Sequence, residues 1–357
     1  MVHLVTTEHT DSAAGSVTPE RITEMLQAGG HDVVVEAFTA TRVGTGQMGA
    51  NFRLHLEFVG DHTGLPDTLV AKTSFGPMDR RVLASGSYRT EIAFYRDIAP
   101  RVAARVPHCW GAWSNDDTTD FVLLLEDLAP REQGDQITGC SVPQARLAAI
   151  NLAGVHGPLW NDQWLTDHLT PYDDQQGADL DGVNPAMVDM FLGRFGDRLT
   201  PQTREVFDRT RDLLGRWFGG RREPFGLVHG DYRLDNLLFD PDGRDVAAVD
   251  WQTISLGLPC RDLAYLCATG LGVEDRRAAE DDIVSAYHQE LLEQGVTGYD
   301  RAACRDDYAY GMLQAPMVVI YGSAVAEVTE RGDAMFVAMA ERAATAISDL
   351  GTLEMIP

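Results

Sequence analysis

The sequence predicts an α+β protein of two unlike parts. A small, mostly antiparallel sheet with one inserted helix comes first, and a larger, mainly helical part follows. Three observations carry this. Alternation of apolar and polar residues, clearest at Phe52, Leu54, Leu56 and Phe58, runs through the first 125 residues. After Glu126-Asp127-Leu128 the apolar residues take helical spacing. One short β-rich island around residues 227–249 interrupts the helical part.

The elements follow in order. Residues 1–17 read as a frayed tail. Thr18-Pro19-Glu20 opens a helix, with Thr18 as N-cap and Pro19 at its first position, and Gly29-Gly30 ends it. Residues 33–43 and 52–58 read as strands flanking the glycine-rich loop Gly44-Thr45-Gly46-Gln47-Met48-Gly49, and 68–73 is a third strand. Residues 88–98 have helical spacing at Ile92, Tyr95 and Ile98 and stop before Pro100. Two more strands, 110–113 and 121–125, flank an Asn/Asp/Thr turn. A short hinge then divides the chain into residues 1–127 and 128–357. In the second part 142–159, 185–195 and 201–218 read as helices and 160–182 as loop. Strands 237–239 and 246–249 form a hairpin about Asp240-Pro241-Asp242-Gly243, and everything from 261 on is helical. Residues 308–326 carry no Asp, Glu, Lys or Arg. Flanking acids and Pro316 favour a buried, Pro-interrupted helix over a membrane span.

Apolar residues make up 44% of the 357, enough for a sizeable core, which excludes a disordered or low-complexity chain. The formal net charge of −25 disfavours nucleic acid and anionic membrane surfaces as partners. The five cysteines are scattered and form no CxxC cluster, so neither a disulfide framework nor a zinc site is indicated. The start, MVHLVTTEHTDSAAG, has no basic or apolar leader region, and a cytoplasmic location is expected. Nothing in the sequence specifies an oligomeric state.

Lys+Arg totals 29, of which 28 are arginine; the only lysine is Lys72, at the end of the third strand. Lysine is a compact point charge and arginine a broad fork, so a lone lysine in so arginine-rich a chain is either chance or held by chemistry that arginine cannot do. Gly44, Gly46 and Gly49 fit G-x-G-x-x-G. The loop joins strand to strand, whereas a dinucleotide-binding loop must open a helix. A glycine turn between antiparallel strands can cover phosphates with its N–H groups, and an ordinary glycine hairpin fits as well. An ammonium at Lys72 would need a carboxylate to fix it, and Glu91 on the following helix is the natural partner.

The strongest signal is Val228-His229-Gly230-Asp231-Tyr232-Arg233-Leu234-Asp235-Asn236, followed by Val249-Asp250-Trp251. Asp231 can accept the proton of an attacking hydroxyl, and Asn236 can offer a carbonyl oxygen to a hard cation. Asp250 adds a second carboxylate at a strand end. Mg²⁺ needs only one or two protein oxygens beside phosphates and water.

This order of glycine loop, strand lysine, helix glutamate, HGDxxxxN and apolar-Asp-Trp resembles the protein-kinase-like small-molecule phosphotransferases. Within them it is similar to the aminoglycoside phosphotransferase and choline kinase group. The wording VHGDYRLDNLLF, VAAVDWQ and GLPCRDLAYL most resembles bacterial ecdysteroid-kinase-like members. The resemblance spans residues 35–330 and implies a bilobal protein-kinase-like fold with ATP and Mg²⁺ as cofactors. It implies Asp231 as catalytic base, Asn236 and Asp250 as Mg²⁺ ligands, and His229 as a brace of the catalytic loop. Lys72 would grip the α- and β-phosphates, held by Glu91, and Gly44, Thr45, Gly46 and Gly49 would cover the triphosphate. The backbone of Glu126 and Leu128 would meet the adenine edge. Asp262 resembles a helix-borne aspartate that ties down the catalytic loop. Arg233 would reach the γ-phosphate or form a structural ion pair.

The departures matter too. Gly230 stands where protein kinases have the arginine that reads a phosphorylated activation loop, no APE segment follows Asp250, and Trp251-Gln252 replace the DFG Phe and Gly. Within the resemblance these departures imply a small-molecule hydroxyl as acceptor rather than a protein. A nucleotide-binding pseudokinase with a regulatory role is the alternative. Candidate acceptor-side residues are Trp160, Asp162, Tyr265 and the uncharged segment 310–321 with Met312 and Met317. Overall charge suits an aminoglycoside-like or choline-like cation, whereas that segment suits an apolar alcohol.

Overall fold

The computed structural model describes residues 16–44, 49–60, 62–170 and 174–357. Thr45 and Gly46 of the glycine loop, and the first fifteen residues of the expected tail, lie outside them. Val17, the last residue read as tail, is instead buried in the first core. The chain divides into two compact units, Met1–Pro100 with Pro107–Ala129, and Arg101–Val106 with Pro130–Pro357. The short stretch 101–106 belongs to the second unit through bonds such as Ala103 N–H to the Gly154 carbonyl (2.8 Å) and Ala248 N–H to the Arg105 carbonyl (3.1 Å).

In the first unit, α1 (Pro19–Ala28) is capped by the Thr18 hydroxyl, which accepts from Arg21 N–H. Strands β1 (Val35–Val43), β2 (Gly49–Phe58), β3 (Thr68–Ser74), β4 (Cys109–Ser114) and β5 (Phe121–Glu126) form one antiparallel sheet in the order β1-β2-β3-β5-β4. Alternation assigns its faces. Leu54, Leu69, Ala71 and Leu124 pack with Ile22, Met25 and Leu26 of α1 in one core. Each fully buried leucine there contributes about 2–3 kcal/mol. Lys72, next along β3 from Ala71, points to the opposite face. Helix α2 (Met78–Ala93) starts ten residues before the periodicity of the sequence announces it, then runs into a π turn, Phe94–Ile98. Its early turns leave Met78, Val82 and Leu83 exposed, so they carry no inward apolar stripe to be read.

The second unit opens with β6 (Glu132–Gln133) and α3 (Val142–His156), which begins in a Ser141/Gln144 capping box. Then come α4 (Gln163–His168), α5 (Asp174–Phe195), α6 (Pro201–Arg209) and α7 (Leu214–Gly220). The stretch read as loop therefore contains α4 and the first half of α5, and Pro185 lies inside α5 rather than opening it. The single helix expected over 201–218 breaks at a 3-10 turn, Thr210–Asp212. The β island is β7 (Gly226–Val228), β8 (Leu237–Phe239), β9 (Val246–Ala248) and β10 (Ser255–Gly257). β8 and β9 form the expected hairpin, pairing Leu237 with Ala248. The additional short strands β6 and β10 pair with β8 and β7.

Five helices follow: α8 (Cys260–Gly270), α9 (Val273–Glu293), α10 (Arg301–Gly311), α11 (Gln314–Val325) and α12 (Glu330–Leu350). The uncharged stretch 308–326 is thus the end of α10 and all of α11. Its break falls at Met312-Leu313, and Pro316 sits in the first turn of α11, where a missing N–H costs nothing. Among the described residues no helix is long and apolar enough to cross a membrane.

Candidate active site

In the first unit, β3 and α2 bring Lys72 and Glu91 together. Lys72 Nζ donates to Glu91 Oε1 at 2.7 Å, with both side chains buried. Nineteen residues of strand, loop and helix suffice for that meeting because α2 packs across the face that Lys72 leaves. Gly49, at the end of the glycine loop, pairs with Ser74. A Cβ there would lie 3.0 Å from the Thr73 carbonyl and 3.5 Å from Lys72 Cε, so the loop approaches the lysine closely only as glycine. Gly44 ends β1 in the left-handed region at φ +73°. At the end of β5, Glu126 N–H donates to the His108 carbonyl (2.8 Å), and Leu128 is buried two residues on.

In the second unit, β7 delivers His229-Gly230-Asp231 onto a loop gripped from below by α8. The fully buried Asp262 accepts His229 N–H at 2.6 Å on Oδ2 and Gly230 N–H at 3.0 Å on Oδ1. Gly230 has φ +83°, and a Cβ on it would lie 2.7 Å from the Thr253 carbonyl, so no side chain fits. The His229 ring is buried. Its Nδ1 accepts from Asp231 N–H (3.2 Å), which leaves Nε2 to donate to the Val249 carbonyl (3.1 Å) and fixes a neutral tautomer. His229 thereby ties the loop to the strand end that carries Asp250.

The Asp231 carboxylate is held by three donors. Tyr265 hydroxyl donates to Oδ1 (2.9 Å), Asn236 Nδ2 to Oδ2 (3.0 Å), and Arg233 Nε lies 3.1 Å away. Burial opposes the charge on Arg233, but Asp231 and Asp235 outweigh it and hold the guanidinium protonated well beyond its ordinary range. Arg233 Nη1 meets Asp235 Oδ2 at 2.6 Å, so the arginine is engaged as an ion pair within the loop. Burial and the Asp231 charge push the Tyr265 phenol well above its ordinary value, so it stays a donor.

Asn236 also donates to the Asp231 carbonyl (2.9 Å), which turns its own carbonyl oxygen away from Asp231. Its backbone carbonyl accepts Val249 N–H (3.0 Å), so Asn236 and Asp250 share one end of the β8–β9 hairpin. Asp250 holds φ +67°, unusual for a residue with a Cβ and a cost of about 1–3 kcal/mol that the surroundings must impose. An amide oxygen and a carboxylate are hard donors suited to Mg²⁺. No cluster of three or more His, Cys, Asp or Glu fit to hold a metal occurs among the described residues, so a cation here would complete its shell with phosphate and water.

Other contributors carry no sequence motif. Gln136 is buried, accepts Leu234 N–H (2.9 Å) and donates to the Thr269 carbonyl (2.9 Å). Gln314 Nε2 donates to the Gly230 carbonyl at 2.8 Å, its orientation fixed by Arg261, whose Nε and Nη2 donate to Oε1 at 3.0 and 2.6 Å. His156, unassigned from the sequence, bridges Tyr287 hydroxyl (2.7 Å) to Asp262 (3.4 Å). Of the acceptor-side candidates, Tyr265 serves Asp231 directly. Trp160 packs on Tyr299, Met312 is core, and Asp162 caps α4.

The fold and this loop define a protein-kinase-like phosphotransferase. Residues 78–303 match the model of the Phosphotransferase enzyme family, and the chain belongs to that family of small-molecule phosphotransferases. Among solved structures, choline kinase from Cryptosporidium parvum Iowa II aligns with TM-score 0.54 and 9% identity, covering 89% of each chain. A Ralstonia eutropha JMP134 protein assigned as an aminoglycoside phosphotransferase aligns with TM-score 0.51 and 19% identity, covering 93% of this chain and 98% of that one. At such identities the likeness is one of fold. A mouse protein, acyl-CoA dehydrogenase family member 10, is 52% identical over 48 residues, which are 13% of this chain and 4% of that protein.

Proposed function

We propose that the chain transfers the γ-phosphoryl group of ATP, with Mg²⁺, to the hydroxyl of a small molecule. The observation that carries this is the Asp231 carboxylate, fixed by three donors on a loop whose preceding two N–H groups are both gripped by Asp262. Phosphoryl transfer depends on positioning and charge neutralisation more than on covalent chemistry, and a carboxylate so constrained suits that task.

Asp231 orients the attacking hydroxyl and receives its proton. Arg233 and Tyr265 hold Asp231 in place. His229 sets the spacing between the loop and the Asp250 strand end. Asn236 and Asp250 offer oxygens to Mg²⁺, which when bound neutralises phosphate charge. In the first unit Lys72, positioned by Glu91, holds the α- and β-phosphates, and the glycine-rich segment between Gly44 and Gly49 supplies backbone N–H groups to the triphosphate. The Glu126 carbonyl and Leu128 N–H read the adenine edge.

The test is ADP release with Mg²⁺-ATP over a panel of hydroxyl compounds, comparing wild type with Asp231→Ala. The variant should lose about 10³-fold in kcat while keeping its nucleotide affinity by calorimetry. Chelation of Mg²⁺ should abolish turnover. Substantial kcat in the variant would remove Asp231 from its role.

A further inference from the structure

The catalytic loop meets α11 at its first residue, through the Gln314–Gly230 bond. On a helix, residues spaced by three, four, seven and eleven share one stripe. From Gln314 that stripe is Met317, Val318, Tyr321 and Val325. The first three remain partly exposed and Val325 is 84% exposed, while Val319 and Ile320 on another face are buried. Tyr321 hydroxyl donates to the side-chain Oδ1 of Asn184 on α5 (3.3 Å), and the neighbouring Val183 is exposed as well. A strip of uncharged, mostly apolar surface therefore leads away from the loop that carries Asp231. The carboxylate nearest Tyr321, that of Asp181 on α5, is engaged by Gly215 N–H (2.9 Å).

The acids around the same loop are neutralised by arginine. Asp235 pairs with Arg233 (2.6 Å) and faces Arg331 (3.6 Å), which also faces Asp135 (3.9 Å). Asp333, two residues before the Met335 sulfur that receives Arg233 Nη1, pairs with Arg194 and Arg198. A polycation needs several uncompensated carboxylates close to the transferred phosphate, and these three are compensated. The net charge of −25 is thus a poor guide to the acceptor.

We propose that the acceptor is a neutral alcohol with a sizeable apolar body lying along the α11 stripe, its hydroxyl directed at Asp231. This rests on the role of Asp231 given above and adds the class of substrate. Binding should follow the general pattern of apolar walls with a few placed polar groups, here the Asp231 carboxylate at one end and the Tyr321 hydroxyl further along.

The experiment uses the full chain with Mg²⁺-ATP and straight-chain primary alcohols from ethanol to 1-decanol, beside kanamycin, choline and glycerate. The expected result is a kcat/KM that rises about fourfold per added methylene over several carbons, each contributing its burial. Val318→Asp should flatten the series, and the volume-conserving Val318→Thr should flatten it partly. A flat series in wild type, or higher kcat/KM with kanamycin, choline or glycerate than with 1-decanol, overturns the proposal. Calorimetric binding of the alcohols without turnover is read in parallel. Affinity that climbs with chain length supports the apolar wall, and no binding overturns it. Long alcohols that bind and yet accept no phosphate would condemn the role of Asp231 while leaving the wall standing.

Discussion

Asp262→Asn tests whether one buried carboxylate sets the catalytic loop. Asp262 presents two oxygens to two backbone donors, His229 N–H at 2.6 Å and Gly230 N–H at 3.0 Å. An asparagine of the same shape has one acceptor oxygen. Whichever way the amide is turned, one of the two N–H groups faces an NH₂ instead. A charge-assisted bond is worth roughly 1.5–3 kcal/mol, and a buried donor left without an acceptor costs about 1–3 kcal/mol. Both figures describe the same lost contact in part, so a destabilisation of about 2–4 kcal/mol follows. For a unit of this size that lowers the melting temperature by roughly 5–15 °C. Asp231 lies next in sequence to Gly230, so displacement of the loop by about 1 Å should also reduce kcat by roughly 10²-fold. Thermal unfolding by circular dichroism and steady-state ADP release, both run well below either transition for the rate, give the two numbers. A variant that melts within about 2 °C of wild type and keeps its kcat would refute the claim that Asp262 holds the loop.

Lys72→Met leaves Glu91 as a buried carboxylate without its ammonium and should destabilise the first unit by about 3–5 kcal/mol in urea unfolding, with Lys72→Met/Glu91→Leu recovering most of the loss. Tyr265→Phe removes a donor to a charged group, so kcat should fall by roughly 10- to 100-fold. The same variant has a pH signature. Burial and the Asp231 charge raise the folded-state value of this phenol, so the folded chain keeps the proton where the unfolded chain releases it. That contribution to stability is intact below about pH 10 and is lost as pH rises through the raised value, so the decline of stability above pH 10 should be shallower in Tyr265→Phe. Burial pushes the Cys109 thiol up to about 11 and those of Cys140 and Cys267 to about 12; at pH 8 all three should resist Ellman's reagent until the chain is unfolded.

The residues proposed to carry the chemistry were legible because each announces itself in type and spacing. Asp231, Asn236 and Asp250 stand in a short contiguous frame, and Lys72 is unique in composition. The sheet was legible chiefly through β2, which from Leu54 to Phe58 buries one face only and so writes alternation into the sequence; β3 buries both faces from Ala71 on and was read from its β-branched and apolar content instead. What could not be read is long-range. Gln136 and Gln314 lie about a hundred residues upstream and eighty downstream of the bonds they make, and a glutamine has no pattern that marks it as buried. Tyr265 is legible as an acceptor-side candidate, but its bond to Asp231, 34 residues upstream, is not, because the period of the helix records the ring and not the hydroxyl's partner. The early turns of α2 and α5 escaped for the opposite reason. Met78, Val82, Leu83 and Val183 face outward, so the apolar residues there do not follow the buried face.

Because Lys72 is the only lysine, its ε-amine is the sole side-chain primary amine in this chain. An acyl-phosphate probe directed at such amines would meet no other lysine, and peptide mapping would separate the label at Lys72 from any at an α-amino group. Its labelling rate would report on the surroundings of Lys72, the pair with Glu91 among them, and on whatever anion shields it.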